Sequence, residues 1–174
     1  LLDRGMHVAP GGLVTSDDHA GLKAAREATL PGTSWQRCQF HLIQNAMAYV
    51  PKIAMRSDVA QGMRRVFNAD DQHEAERRLR ELIDQYRDTA PRLAGWLEDN
   101  VPEGLTVFIL PAGHRKRLRT TNGLERLNKE IARRTRVATL FPNEASLLRL
   151  ASAVLSEISD EWETNKAYIN MKAK

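Results

Sequence analysis

One strand–helix–strand unit followed by a run of helices is the feature that most limits what this sequence can fold into. Residues 12–16, G-L-V-T-S, form a short apolar run that ends at Asp17 and Asp18, and H-A-G-L-K-A-A-R-E-A follows. This reads as a strand feeding a helix over about 19–29, with Asp17 or Asp18 available as its N-cap. Pro31 and Gly32 break that helix. Residues 35–40 read as a second strand and 41–50 as a helix stopped by Pro51. A crossover this short makes the two strands parallel neighbours.

From residue 52 to residue 100 the pattern is helical throughout. Ile53, Val59, Met63, Val66 and Phe67 give one apolar stripe, and Ala75, Leu79, Leu82, Ile83 and Tyr86 a second. Leu93, Trp96 and Leu97 give a third, with Trp96 expected in the core. Asp70 or Asp71 can cap the second helix, and Pro91 suits a first helical turn. Residues 105–110, L-T-V-F-I-L, are a brief apolar run rich in β-formers before Pro111. Residues 122–134 read as a helix. The longest helix is expected over about 143–162, with Ala145, Leu148, Ala151, Leu155, Ile158 and Trp162 on one face. The last dozen residues are polar and expected to fray. The fold class is therefore α+β, mostly α. Nothing in it makes a complete sheet alone, so the sequence reads as a piece of a longer polypeptide.

The chain's 174 residues suit one domain with a core and not two full ones. Cys38 is the single cysteine, which excludes an internal disulfide framework and suits a reducing compartment. No stretch approaches the ~18 apolar residues that cross a bilayer, and no signal peptide opens the chain. Charge is concentrated. Arg115, Lys116, Arg117, Arg119, Arg126, Lys129, Arg133, Arg134 and Arg136 face only Glu125 and Glu130 in the same block, a net of +7, whereas the whole chain is +4. Such a cluster is the footprint of a phosphate-binding surface, although an ordinary solvated helix face gives the same pattern.

Two acidic positions stand out. Asp17 ends a strand, where loops are free of sheet pairing and ligands gather in parallel α/β folds. Two-metal phosphoryl transfer needs carboxylates from separate elements, and Asp17 and Glu125 are candidates for two of them. Each has a plainer alternative. Asp17 can cap the helix that follows, and Glu125 falls three residues after Asn122, a capping-box spacing, and four before Lys129. Cys38 and His41 have C-x-x-H spacing, half of a zinc site. His7, His19, His73 and His114 offer no matching pair, so a buried thiol and a helix-start histidine are expected.

Four segments in order carry a resemblance. They are S-D-D-H-A-G-L-K-A-A (16–25), W-Q-R-C-Q-F-H-L-I-Q-N (35–45), R-T-T-N-G-L-E-R-L-N-K-E-I-A-R-R-T-R-V (119–137) and L-F-P-N-E-A-S-L-L-R-L (140–150). Together they resemble the Mutator-type transposases of bacterial insertion sequences over nearly the whole chain. The resemblance implies a ribonuclease-H-like catalytic domain with an Asp-Asp-Glu triad and an all-helical insertion between the second Asp and the Glu. The second Asp corresponds to Asp17, since Asp18 falls on a variable position, and the triad Glu to Glu125. His19, Gly21, Cys38, His41, Asn45 and Asn122 match the family's signature positions.

The chain then divides into a partial ribonuclease-H-like segment (1–49), the helical insertion (50–110) and C-terminal catalytic helices with the basic block (111–174). The family's first Asp has no counterpart here, Asp3 being in the wrong context, so the piece alone is expected to be inactive.

The function implied is metal-dependent DNA strand cleavage and strand transfer, with two Mg²⁺ ions in the intact enzyme. Double-stranded DNA would be the partner, in a homo-oligomeric complex associated with the nucleoid in the bacterial cytoplasm. The nine basic residues would contact phosphates and position the strand without reading its sequence. A non-catalytic helical nucleic-acid-binding remnant is the alternative, and a protein-interaction domain meeting an acidic partner is a third.

Overall fold

The computed structural model describes residues 11–137 and 141–164, and these are mostly helical with one small sheet. The expected polar tail past residue 164, like Asp3 and His7, lies outside the described residues. The chain divides into two compact units between Thr121 and Asn122.

In the first unit β1 (Leu13–Ser16) and β2 (Ser34–Arg37) pair in parallel, Leu13 opposite Ser34 and Ser16 opposite Arg37, with α1 (Ala20–Thr29) as the crossover. The expected order is thus borne out. The helix cap is not: His19 caps α1, its Nδ1 accepting from the Gly21 N–H at 3.2 Å, while Asp18 is drawn elsewhere. β2 is shorter than its sequence suggests, because Cys38 turns the chain and α2 (Gln39–Ala46) begins at once.

Then come α3 (Arg56–Phe67), α4 (Gln72–Tyr86) and α5 (Pro91–Asn100). Asp71 caps α4, accepting from the Glu74 N–H at 2.8 Å, and Pro91 stands in the first turn of α5. The three stripes meet in one core with Leu42 and Ala46 of α2. Ile53 is the exception at 81% exposed, because it falls in a 3₁₀ turn before α3 and not in the helix. Gly62 lets α3 approach α4, since a Cβ there would strike Leu82.

The β-forming run at 105–110 makes no strand. It folds into a 3₁₀ turn, Thr106–Ile109, directly after another at Val101–Gly104. Two buried glutamines of the strand–turn region explain why. Gln36 accepts from the Val107 N–H at 2.6 Å and donates to the Gly104 carbonyl at 2.8 Å, where Gln39 also donates. Backbone groups that a sheet would satisfy are satisfied by side chains instead. Helix α6 (Ala112–Leu118) follows, and residues 118–121 are stitched back to the sheet: Thr15 Oγ1 donates to the Leu118 carbonyl at 2.6 Å and the Gln39 N–H to that of Arg119 at 3.0 Å.

The second unit contains α7 (Asn122–Val137) and α8 (Glu144–Thr164), which pack on one another. The buried face of α8 differs from the expected stripe. Val154 is buried, whereas Leu148 and Leu155 stay 56% and 44% exposed. The apolar residues of α8 run nearly all round, so periodicity alone did not choose the face.

Candidate functional site

β1 ends by presenting two adjacent carboxylates, and the structure gives them different surroundings. Asp18 is held by Lys23 Nζ at 2.7 Å and by Arg37 at 3.3 Å. Its carboxyl is kept below the ordinary aspartate range, chiefly by the Lys23 hydrogen bond and then by the Arg37 charge, against an opposing effect of burial. The network continues inward. Arg37, nearly fully buried, also pairs with Glu103 at 2.9 Å and donates to Asn100 Oδ1 at 2.9 Å, and Lys23 reaches Glu103 at 3.3 Å. Lys23 lies 4.1 Å above the Trp35 ring, whose Nε1 donates to Ser16 Oγ. Asp18 is therefore a structural charge that ties β1 to β2 and to the 3₁₀ turn.

Asp17 is left out of that network. It is half exposed, and its Oδ1 lies against Nδ1 of His41, in the first turn of α2. Cys38, at the cap of the same helix, is fully buried. The C-x-x-H spacing brings Cys38 and His41 to one side of the helix start. There their sulfur and nitrogen, with an Asp17 oxygen, lie within 4.8 Å of one another. Thr121 donates to the Cys38 sulfur from both its N–H and its hydroxyl. Among the signature residues Gly21 is fixed by the His19 cap, and Asn45 is exposed one turn beyond His41 on α2. Asn122 is the first residue of α7 and Glu125 lies in that helix's first turn, in the second unit.

The basic residues fall into two kinds. Arg115 donates to the carbonyls of Leu110 and Asp70 and lies 5.0 Å from the Phe108 ring centre. Arg119 donates to the Phe67 carbonyl at 3.0 Å and to Asn68 Oδ1 at 2.7 Å, and burial pulls its pKa down. Arg119 closes the C-terminal end of α3, whose last carbonyls need donors, and Arg115 ties α6 to the turn between α3 and α4. In the second unit Glu130 pairs with Arg133 at 2.7 Å and Arg134 at 2.8 Å, which hold its carboxyl down at about 2. Arg134 also reaches Glu157 at 3.4 Å. Lys116, Arg117, Arg126, Lys129 and Arg136 are exposed.

The residues that sequence reasoning missed are Gln36, Gln39 and Arg37. Their one signal was polarity within a segment read as a strand.

Comparison with known proteins shows the class of protein to which this strand-end site and these helices belong. The family model described as "Transposase, Mutator family" matches residues 1–165. The chain belongs to that family. It is 56% identical over 170 residues to the transposase for insertion sequence element IS406 of Burkholderia multivorans, covering 98% of this chain and 43% of that protein. It is 42% identical to the transposase for ISRM5 of Rhizobium meliloti, over 91% of this chain and 40% of the relative. With the transposase for IS256 in transposon Tn4001 of Staphylococcus aureus it shares 34% identity, over 91% of this chain and 41% of the relative. The chain thus spans about two fifths of the length of these relatives. No described helix is long and apolar enough to cross a membrane.

Proposed function

We propose that this chain is the C-terminal part of the catalytic region of an Asp-Asp-Glu DNA transposase, built on a ribonuclease-H-like core. On this reading 1–49 and 111–174 belong to that core, and 50–110 is its helical insertion. The observation that carries the proposal is the separation of the two aspartates. Asp18 is consumed by Lys23 and Arg37, while Asp17 stands half exposed at the end of a parallel strand. A carboxylate so placed can hold a hard cation in solvent reach.

Asp17 and Glu125 would hold magnesium. The ions would supply activation of the attacking oxygen and charge stabilisation at the phosphate. Oxygen donors of this kind suit Mg²⁺, which keeps several of its waters. Around Asp17 the chain adds His41, which lies against one carboxylate oxygen and fixes its orientation. The third carboxylate of such a triad has no counterpart assigned in this chain.

Double-stranded DNA is the proposed substrate and partner. Lys116, Arg117, Arg126, Lys129 and Arg136 are exposed and suited to phosphate contacts. Arg133 and Arg134 would reach phosphate only by leaving Glu130. Action as a homo-oligomer on the bacterial nucleoid completes the reading.

Its test is to graft this chain into the Burkholderia multivorans relative in place of the matching segment and to measure Mg²⁺-dependent strand cleavage at that element's ends. Cleavage that disappears with Glu125→Gln while DNA binding persists is the expected result. Cleavage unaffected by that change would favour a nucleic-acid-binding module without chemistry of its own.

A further inference from the structure

Cys38 at the cap of α2 and His41 in its first turn converge on Asp17 at the end of β1. One sulfur, one imidazole nitrogen and one carboxylate oxygen lie within 4.8 Å of one another. We propose that Asp17, Cys38 and His41 form a binding site for a borderline divalent cation of the Zn²⁺ class.

The donor set points to that class of ion. Mg²⁺ and Ca²⁺ take oxygen ligands, whereas sulfur with imidazole suits Zn²⁺ and its spectroscopic substitute Co²⁺. With bonds of about 2.0–2.3 Å, neighbouring donors around a tetrahedral ion stand about 3.3–3.8 Å apart. No two of the three donors stand more than 4.8 Å apart, close enough for small side-chain shifts to bring them to that spacing. Asp17 is 50% exposed, so an ion can reach it from solvent, and on entering between it and His41 would part the two groups now in contact.

The surroundings of the sulfur add a second argument. The Thr121 N–H and hydroxyl both donate to Cys38 Sγ at 3.4 Å, the kind of outer support that orients a thiolate ligand and tunes it. A thiolate there also lies at the positive end of the α2 dipole. Three protein donors leave the fourth tetrahedral position open, as in zinc sites that keep an exchangeable ligand. Asp17 would be shared with the magnesium reading, so an ion of the zinc class would occupy the carboxylate that reading assigns to Mg²⁺. The cation site itself does not depend on that reading.

Titration of the 174-residue chain with Co²⁺ tests the proposal. A saturable sulfur-to-cobalt charge-transfer band with tetrahedral visible bands, displaced by Zn²⁺, is expected. Cys38→Ser should remove the charge-transfer band. Asp17→Asn and His41→Gln should weaken Co²⁺ binding by more than about tenfold, and His73→Gln, outside the cluster, should leave it unchanged. Because Cys38 is fully buried, its variant is read beside a thermal melt, and His41→Gln decides the matter if that variant does not fold. Absence of the sulfur band in the unaltered chain, or binding indifferent to both Asp17→Asn and His41→Gln, would overturn the site. Glu125→Gln separates this proposal from the transposase reading. It should keep the cobalt band and abolish strand cleavage in the grafted relative. A missing band leaves the magnesium reading standing, and surviving cleavage leaves the cation site standing.

Discussion

Thr121 donates twice to the sulfur of Cys38, from its backbone N–H and from its hydroxyl, each at 3.4 Å. The next residue, Asn122, begins α7, so the C-x-x-H turn anchors the point at which the chain leaves the first unit. With the Thr15–Leu118 and Gln39–Arg119 bonds, it fixes 118–121 along the end of the sheet.

The two partners of that anchor should not be equivalent in mutagenesis. Thr121→Val removes one donor and keeps the N–H, and should cost about 0.5–1.5 kcal/mol. Cys38→Ala removes the acceptor of both bonds and opens a small void in a fully buried position, and should cost more, about 2–3 kcal/mol. Denaturant unfolding of the two variants checks the order.

Asp18 should make a modest contribution that depends on pH. Its carboxyl is held below the ordinary value by Lys23 first and Arg37 second, so the folded state binds its proton less readily than the unfolded state. The stabilisation is fully present above the unfolded value, about pH 4, and is lost as pH falls through the folded value. The side chain is 39% exposed, and solvent screening limits the effect to under about 1 kcal/mol. Asp18→Asn should therefore lower the melting temperature slightly at pH 7 and by progressively less as pH falls below about 4.

Trp96 belongs to the core, as its helical spacing suggests. It is 9% exposed and stacks on Tyr49 with ring centres 5.4 Å apart. Trp96→Ala should cost about 3–5 kcal/mol. A thermal melt left unaltered by the substitution would contradict a core role.

The basic block should separate into structural and electrostatic members. Arg119→Gln removes donors from the Phe67 carbonyl and Asn68, and should lower stability by about 1–3 kcal/mol. Arg126→Gln with Lys129→Gln should leave the melt unchanged. That pair should instead flatten the salt dependence of duplex binding by about 0.9 in log–log slope for each phosphate that is no longer neutralised. Binding isotherms at several salt concentrations, set beside the melts, distinguish the two kinds.

Elements with strong local signals were legible in the sequence. The apolar stripes of α4 and α5 lie buried where their spacing put them, and the parallel pairing of β1 with β2 follows from the short crossover. What the sequence hid depends on partners distant along the chain. The β-forming run at 105–110 becomes a 3₁₀ turn because Gln36, about 70 residues away, satisfies its backbone. Arg115 and Arg119 look like a solvated basic run, yet Arg119 finds the last carbonyl of α3 and Arg115 that of Asp70 in the turn after it. The choice between Asp17 and Asp18 as a cap had a third answer, His19, because Asp18 is drawn to Lys23 and Arg37. C-x-x-H gave half of a metal-ligand pattern. The third donor, Asp17, could not be paired with it until the sheet set the end of β1 beside the start of α2.

The contrast between adjacent aspartates tests the central claim most directly. In the Burkholderia multivorans relative carrying this chain, excision of the element should fall at least about a hundredfold with Asp17→Asn, as expected when a metal ligand is removed. Asp18→Asn, which removes only the Lys23 and Arg37 pairs, should keep excision within a few-fold of the unaltered protein. Equal losses from the two substitutions, with both proteins folded and bound to DNA, would contradict the assignment of Asp17 as the catalytic carboxylate of this strand end.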